Sequence, residues 1–155
     1  MKNLENVSCE QLNLCLHEVK RLLKQLGKVM PDPEMPDQEV YQQSSHLVSQ
    51  TDALQEALTV EIVRRQFLLL QAQLGAEEST TMKLEQLSTE QLNICFRETK
   101  WILKQLSWVT PHVHENEFYQ LVENIDSRAI VIQDSLRVER ARRALVHLQT
   151  QLATK

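Results

Sequence analysis

Ser8-Cys9-Glu10-Gln11-Leu12-Asn13-Leu14-Cys15 returns later in the chain as Ser88-Thr89-Glu90-Gln91-Leu92-Asn93-Ile94-Cys95, and Leu23-Lys24-Gln25-Leu26 returns as Leu103-Lys104-Gln105-Leu106. The correspondence continues past Pro31 and Pro111 with a small length difference in the loop. Tyr41 aligns with Tyr119, Leu58 with Leu136, Glu61 with Glu139, Arg64-Arg65 with Arg142-Arg143 and Leu74 with Leu152. Self-similarity of this extent marks one structural unit used twice, through tandem duplication or through two related chains joined end to end. It divides the chain into a first repeat over 1-76, a linker over 77-86 and a second repeat over 87-155. Gly75-Ala76-Glu77-Glu78-Ser79-Thr80-Thr81 supplies the turn-forming residues between them.

Each repeat opens with a helix start. Ser8 stands three residues before Gln11, with Val7 and Leu12 placed as a hydrophobic staple, and Ser88, Gln91, Leu87 and Leu92 repeat the device. Beyond the cap, Leu12, Cys15, Leu16, Val19, Leu22, Leu23, Leu26 and Val29 recur at spacings of three and four, which predicts one apolar helical stripe. The helix should stop between Gly27 and Met30, because Pro31, Pro33 and Pro36 follow; Pro111 marks the same stop in the second repeat.

A longer helix then begins near Asp37 or Asn116 and runs to about Leu74 or close to the C-terminus, with the polar stretch Gln42 to Asp52 as a place for a bend or break. Val60, Val63, Phe67, Leu70 and Leu74, matched by Val138, Ala141, Leu145, Leu148 and Leu152, keep the seven-residue spacing of coiled coils and bundles. With only two glycines, four prolines and 42% hydrophobic residues, the composition also favours helices. The expected fold is all-α, a tandem duplication of a helical hairpin forming a four-helix bundle or an elongated coiled-coil-like assembly.

The two arms of each hairpin are unequal, on the order of 33 Å against well beyond about 50 Å at the rise of an α-helix. The far part of the long arm, Phe67 and Leu70 in one repeat and Leu145 and Leu148 in the other, is therefore expected to overhang. Left in water it would form a large apolar patch, so either the long arms cover each other or another chain covers them.

A further difference separates the repeats. Leu14, Arg21 and Lys28 follow one another at seven-residue spacing, and the second repeat has Ile94, Trp101 and Trp108 at those positions, roughly 200° around the helix from Leu92, Thr99 and Leu106. Buried aromatics are commonly core, which would pack both indoles against the long helix of the first repeat. Tryptophan is also enriched at interface hot spots, which would make them contacts for a partner or a second copy.

Residue chemistry offers little for catalysis. Cys15 and Cys95 fall on the expected buried stripe as small core residues, and Cys9, in the first turn of a helix, has no histidine pattern to make it a nucleophile. An odd count of three cysteines points to a reducing compartment. His112-Val113-His114-Glu115 with Glu117 is the one cluster whose side chains suit a metal, but its spacing lacks the pattern of a structural zinc site and fits a polar capping loop. His17, His46 and His147 are isolated.

Arg137, Arg140, Arg142 and Arg143 form the densest basic run, with Asp134 and Glu139 at pairing distance along the helix. No glycine-rich phosphate loop, nucleophile elbow or Glu-x-x-His pair is present in the sequence. A net charge of −4 creates no field that would draw the chain to nucleic acid or an anionic membrane, and no stretch approaches the roughly 18 to 20 apolar residues of a membrane span. The N-terminus lacks the apolar core of a signal peptide, so an intracellular, cytoplasmic or nuclear location is expected.

The expectation is a non-catalytic helical adaptor or scaffold subunit, without cofactor or metal, that binds protein partners, helical or coiled-coil, or copies of itself through apolar helix faces. Its candidate contact residues are Ile94, Trp101 and Trp108, then Phe67, Leu70, Leu145 and Leu148. The alternative is a self-contained four-helix bundle taking a short amphipathic helix in a groove between the repeats. An enzyme organised around His112 and His114 is the third reading.

Overall fold

The computed structural model describes residues 4–29, 38–75, 83–109 and 116–153. Four α-helices carry almost all of them: α1 (Cys9–Leu26), α2 (Gln38–Leu74), α3 (Thr89–Ser107) and α4 (Asn116–Ala153), with a 3-10 turn over Leu84–Gln86 ahead of α3. The described residues contain no strand. The helices pack as two hairpins, α1 on α2 and α3 on α4.

Both short helices start as their sequences require. Ser8 Oγ accepts from the Gln11 amide at 3.2 Å while the Gln11 side chain accepts from the Ser8 amide at 3.2 Å; the Ser88 and Gln91 pair does the same at 3.1 and 2.8 Å. Two amide donors that the helix cannot satisfy internally are thereby paired at each start. Val7 packs onto the cluster around Leu12, and Leu87 onto that around Leu92, completing the staples.

Helix α2 runs without a break through the Gln42 to Asp52 stretch, the place the sequence offered for a bend or break. Its polar side chains accommodate themselves to the helix, as Thr51 does by donating from Oγ1 to the Leu47 carbonyl at 2.6 Å. Gly75 ends α2 at φ 66, a left-handed conformation that glycine adopts without a Cβ penalty. Of the expected linker over 77-86, residues 77–82 lie outside the described residues. Leu84–Gln86 are the 3-10 turn, and Leu84 is buried.

The chain divides into two compact units, one of Met1–Ile62 with Val109–His114 and the other of Val63–Trp108 with Glu115–Lys155. This spatial division passes through α2 rather than between the repeats. In the first unit Leu12 and Val19 of α1 and Leu58 of α2 are buried, flanked by Leu4, Val7, Leu16, Leu23 and Ile62. The second unit has the larger core. Val63, Phe67, Leu70 and Leu74 at the end of α2 meet Leu92, Cys95, Ile102 and Leu106 of α3 and Ile125, Ala129, Ile132 and Leu136 of α4, with Leu84 closing one end.

Several expectations are corrected by this core. Phe67 and Leu70 do not overhang; they are 3% and 0% exposed, because the end of α2 packs with α3 and α4. The overhang expected of Leu145 and Leu148 on α4 is present: both are exposed, as are Val138, at 69%, and Leu152. Helix α4 instead buries Phe118, Ile125, Ala129, Ile132, Leu136 and Glu139, a second stripe of the same three-four spacing on the opposite side. Cys15, Leu22 and Val29 are exposed, since α2 covers only the narrow line of Leu12, Leu16, Val19 and Leu23 on α1.

Candidate partner-binding surface

Helix α3 has two apolar sides. The inner side carries Leu92, Cys95, Thr99, Ile102 and Leu106, all buried. Thr99 is tolerated there because its hydroxyl donates to the Cys95 carbonyl at 2.7 Å. The Cys95 thiol contacts Gln73 Oε1 at 3.6 Å, and burial, reinforced by the negative charge of Glu98, pushes its pKa up. A thiol held protonated in this way is a packing residue rather than a nucleophile.

The outer side of α3 bears Ile94 and Trp101, with Trp108 at its C-cap; the three are 36%, 41% and 72% exposed. The core placement of both indoles, which aromatic burial statistics favoured, is thus overturned. Ile94 and Trp101 line an open groove of about 520 Å³ together with Arg97, Glu98 and, from α2, Gln66. The groove lies between a helix of the first repeat and a helix of the second.

One polar atom at this groove is out of balance. Glu98 Oε2 is buried and has no hydrogen-bond partner among the described residues. Its counterpart in the first repeat, Glu18, pairs with Arg21 at 2.8 Å. Trp101 stands at the position equivalent to that arginine, so the second repeat has the carboxylate without a cation three residues on.

Helix α4 provides a second apolar surface. All of residues 144–153 are exposed, because α4, at 38 residues, is twice the length of the 19-residue α3 it packs on. Leu145, Leu148 and Leu152 occupy this overhang, in line with Val138 before it. An amphipathic helix gains its stability mainly from covering its apolar face, and this stretch of α4 covers none.

The arginines between these surfaces are largely engaged. Arg137 pairs with Asp134 at 3.0 Å, and Arg142 and Arg143 meet Glu139 at 2.8 and 2.7 Å. Arg143 also donates to the Leu84 carbonyl at 3.0 Å, tying α4 to the turn before α3. These donors, Arg142 first, hold the Glu139 carboxyl down at about 2 against the opposing effect of burial. Arg140 and Arg137 lie over the Phe96 ring at 4.5 and 5.9 Å from its centroid, and Arg128 lies over Phe67 at 5.6 Å. With its amide oxygen turned toward the Arg128 guanidinium, buried Gln71 accepts from it and links α2 to α4. The i,i+3 and i,i+4 pairs were legible in the sequence. The stacking on Phe96 and Phe67 and the Gln71 link had no sequence signal, since they join separate helices.

His112, His114 and Glu115 lie outside the described residues. Among the described residues no three His, Cys, Asp or Glu side chains are grouped to hold a metal ion, and no helix is long and apolar enough to cross a membrane. Comparison of the chain with protein families, with curated proteins and with solved structures finds no match.

Proposed function

We propose that this protein is a non-catalytic helical adaptor that binds a protein partner through the outer face of α3, with the overhang of α4 as a second contact. The observation that supports this most directly is the exposure of Trp101 and Trp108 on the side of α3 opposite its core, at positions where the first repeat carries Arg21 and Lys28. Where one repeat carries two charges and the other carries two exposed tryptophans, the second reverses the usual preference for a solvated face. Indoles on a rigid helix are the typical anchors of an interface, because they bring large apolar area at low conformational cost.

Replacing Trp101 with Arg and Trp108 with Lys installs the residues of the first repeat. Helicity and melting temperature should be nearly unchanged, whereas binding of the native partner should fall on the order of a thousandfold if each indole contributes about 2 kcal/mol. The measurement is circular dichroism of both proteins, followed by comparison of what co-purifies with each from the native cell and titration of the protein that differs. A large drop in melting temperature would make the indoles structural and remove the basis of the proposal.

A second reading is favoured by the groove between α2 and α3: a self-contained bundle that accepts one short amphipathic helix. The two readings differ in stoichiometry and extent. A groove binder retains full affinity when residues 144–153 are deleted, whereas an adaptor using the overhang loses affinity or a second partner.

A further inference from the structure

We propose that this chain assembles head to tail with copies of itself: the end of α4 in one copy packs on the hairpin of α1 and α2 in the next, as the end of α2 packs on α3 and α4 within the chain. The proposal rests on the reading of the α4 overhang as a contact surface and is independent of the tryptophan face of α3.

The chain carries its own template for this contact. Phe67, Leu70 and Leu74 at the end of α2 are buried in one core with Cys95 and Ile102 of α3. Ile125 and Ile132 of α4 complete the surface that receives them. Polar contacts fix the placement: Gln73 Oε1 lies 3.6 Å from the Cys95 thiol, and Arg128 stacks on the Phe67 ring and meets Gln71.

Repetition supplies both halves of that contact a second time. The inserting half recurs on α4, where Leu145, Leu148 and Leu152 stand for Phe67, Leu70 and Leu74. Even the polar residues return, Gln149 for Gln71 and Gln151 for Gln73. All five α4 residues are exposed. The receiving half recurs on the first hairpin, with Cys15 and Leu22 of α1 at the positions of Cys95 and Ile102, and Leu47 and Leu54 of α2 at those of Ile125 and Ile132. In the second hairpin these positions are buried; in the first all four are exposed.

The contact between the two arms is present in both hairpins, since Leu12 and Leu58 are buried just as Leu92 and Leu136 are. What the first hairpin lacks is the helix end that α3 and α4 receive. Residues 144–152 contain no Asp, Glu, Lys or Arg, so inserting them into an apolar surface strips no such charge of water. Pairing two overhangs with each other would cover the inserting half alone and leave Leu22, Leu47 and Leu54 in water. Head-to-tail contact covers both halves with the residue types and spacing already used inside the chain. Because the two surfaces are unlike, the contact repeats from copy to copy until a ring closes or a filament grows.

Sedimentation velocity of the full chain at rising concentration should show species larger than a monomer. Leu145→Glu with Leu148→Glu breaks the inserting half, and Leu22→Glu with Leu54→Glu breaks the receiving half. Either pair should weaken self-association at least about a hundredfold. Mixed in equal amounts, the two variants should form a 1:1 complex and nothing larger, since one intact half of each kind remains. Circular dichroism and melting in dilute solution check the fold of each. Should a variant not fold, Gln151→Cys with Cys9→Ser decides: mild oxidation should link position 151 of one copy to Cys15 of another, as read by peptide mapping, because Gln73 and Cys95 are neighbours in the template. In dilute monomer Cys15 stays open to thiol reagents and becomes protected as concentration rises.

A chain that remains monomeric up to about 1 mM overturns the proposal. So does association that survives Leu22→Glu with Leu54→Glu, which would mean pairing of overhangs, or the absence of any link between position 151 and Cys15. A different protein that covers the overhang of a monomeric chain overturns it as well. Trp101→Arg with Trp108→Lys should leave this association unchanged, so failure here and failure of the tryptophan surface are read separately.

Discussion

Helices α1 and α3 begin with the same capping box and are 18 and 19 residues long, yet α1 buries two side chains and α3 buries five. Ile102 is fully buried, while its counterpart Leu22 is 45% exposed; Cys95 is buried and Cys15 is not. Their intrinsic patterns do not account for this, because both carry the same apolar spacing. The difference lies in the neighbours. Helix α1 is covered along one line by α2, whereas α3 is covered by α4 and also by the end of α2. A repeated helix therefore shares its local structure with its copy but takes its burial from whatever packs on it.

The cysteines give the largest expected contrast. A thiol reagent added to the native protein should modify Cys9 and Cys15 readily, while Cys95 should react orders of magnitude more slowly, its access limited by opening of the core and its thiolate disfavoured by burial and by Glu98. Mass spectrometry over time reads the three sites separately. Equal labelling of Cys15 and Cys95 would break the comparison.

Core truncation comes next in size. Ile102→Ala should cost about 2 to 5 kcal/mol, as for other fully buried aliphatic side chains, while Leu22→Ala should cost under about 1 kcal/mol. Chemical denaturation of both variants checks this, and similar losses at the two positions would mean that α1 is covered as extensively as α3.

The smallest effect concerns acid stability. Glu139 has its carboxyl lowered to about 2 by Arg142 and Arg143. A depressed folded-state pKa contributes stability that is complete above the unfolded value, about 4.3, and is lost as pH falls toward the folded one. Glu139→Gln should therefore flatten the decline in melting temperature between roughly pH 4 and pH 2, with little change in its slope near neutrality. A wild-type profile with no slope in that window would show the carboxyl to be unengaged.

Much of the local architecture could be read from residues. The capping boxes follow from Ser8 with Gln11 and Ser88 with Gln91, since a serine three residues before a glutamine satisfies two orphan amides without help from elsewhere. The starts of α2 and α4, at Gln38 and Asn116, fall within one residue of the positions expected near Asp37 and Asn116. Burial was less legible. Helix α4 carries two stripes of three-four spacing, one through Ile125, Ala129 and Ile132 and one through Val138, Leu145 and Leu152, and aligning the repeats selected the exposed one. Periodicity measures how a helix could bury a face and contains no term for which face meets a neighbour.

The candidate site divides along the same line. That Trp101 and Trp108 lie away from the Leu92 and Leu106 stripe is a matter of helical geometry, available from spacing alone. That they stay exposed, and that Glu98 has a buried oxygen without a donor among the described residues, depends on how α2 and α3 come together. Chain order settles helix starts, lengths and faces, because those arise from contacts within a turn or two. Which faces are covered is a question of contacts between residues far apart in the chain, and packing alone answered it: the end of α2 went into the core with α3 and α4, and the end of α4 was left in water.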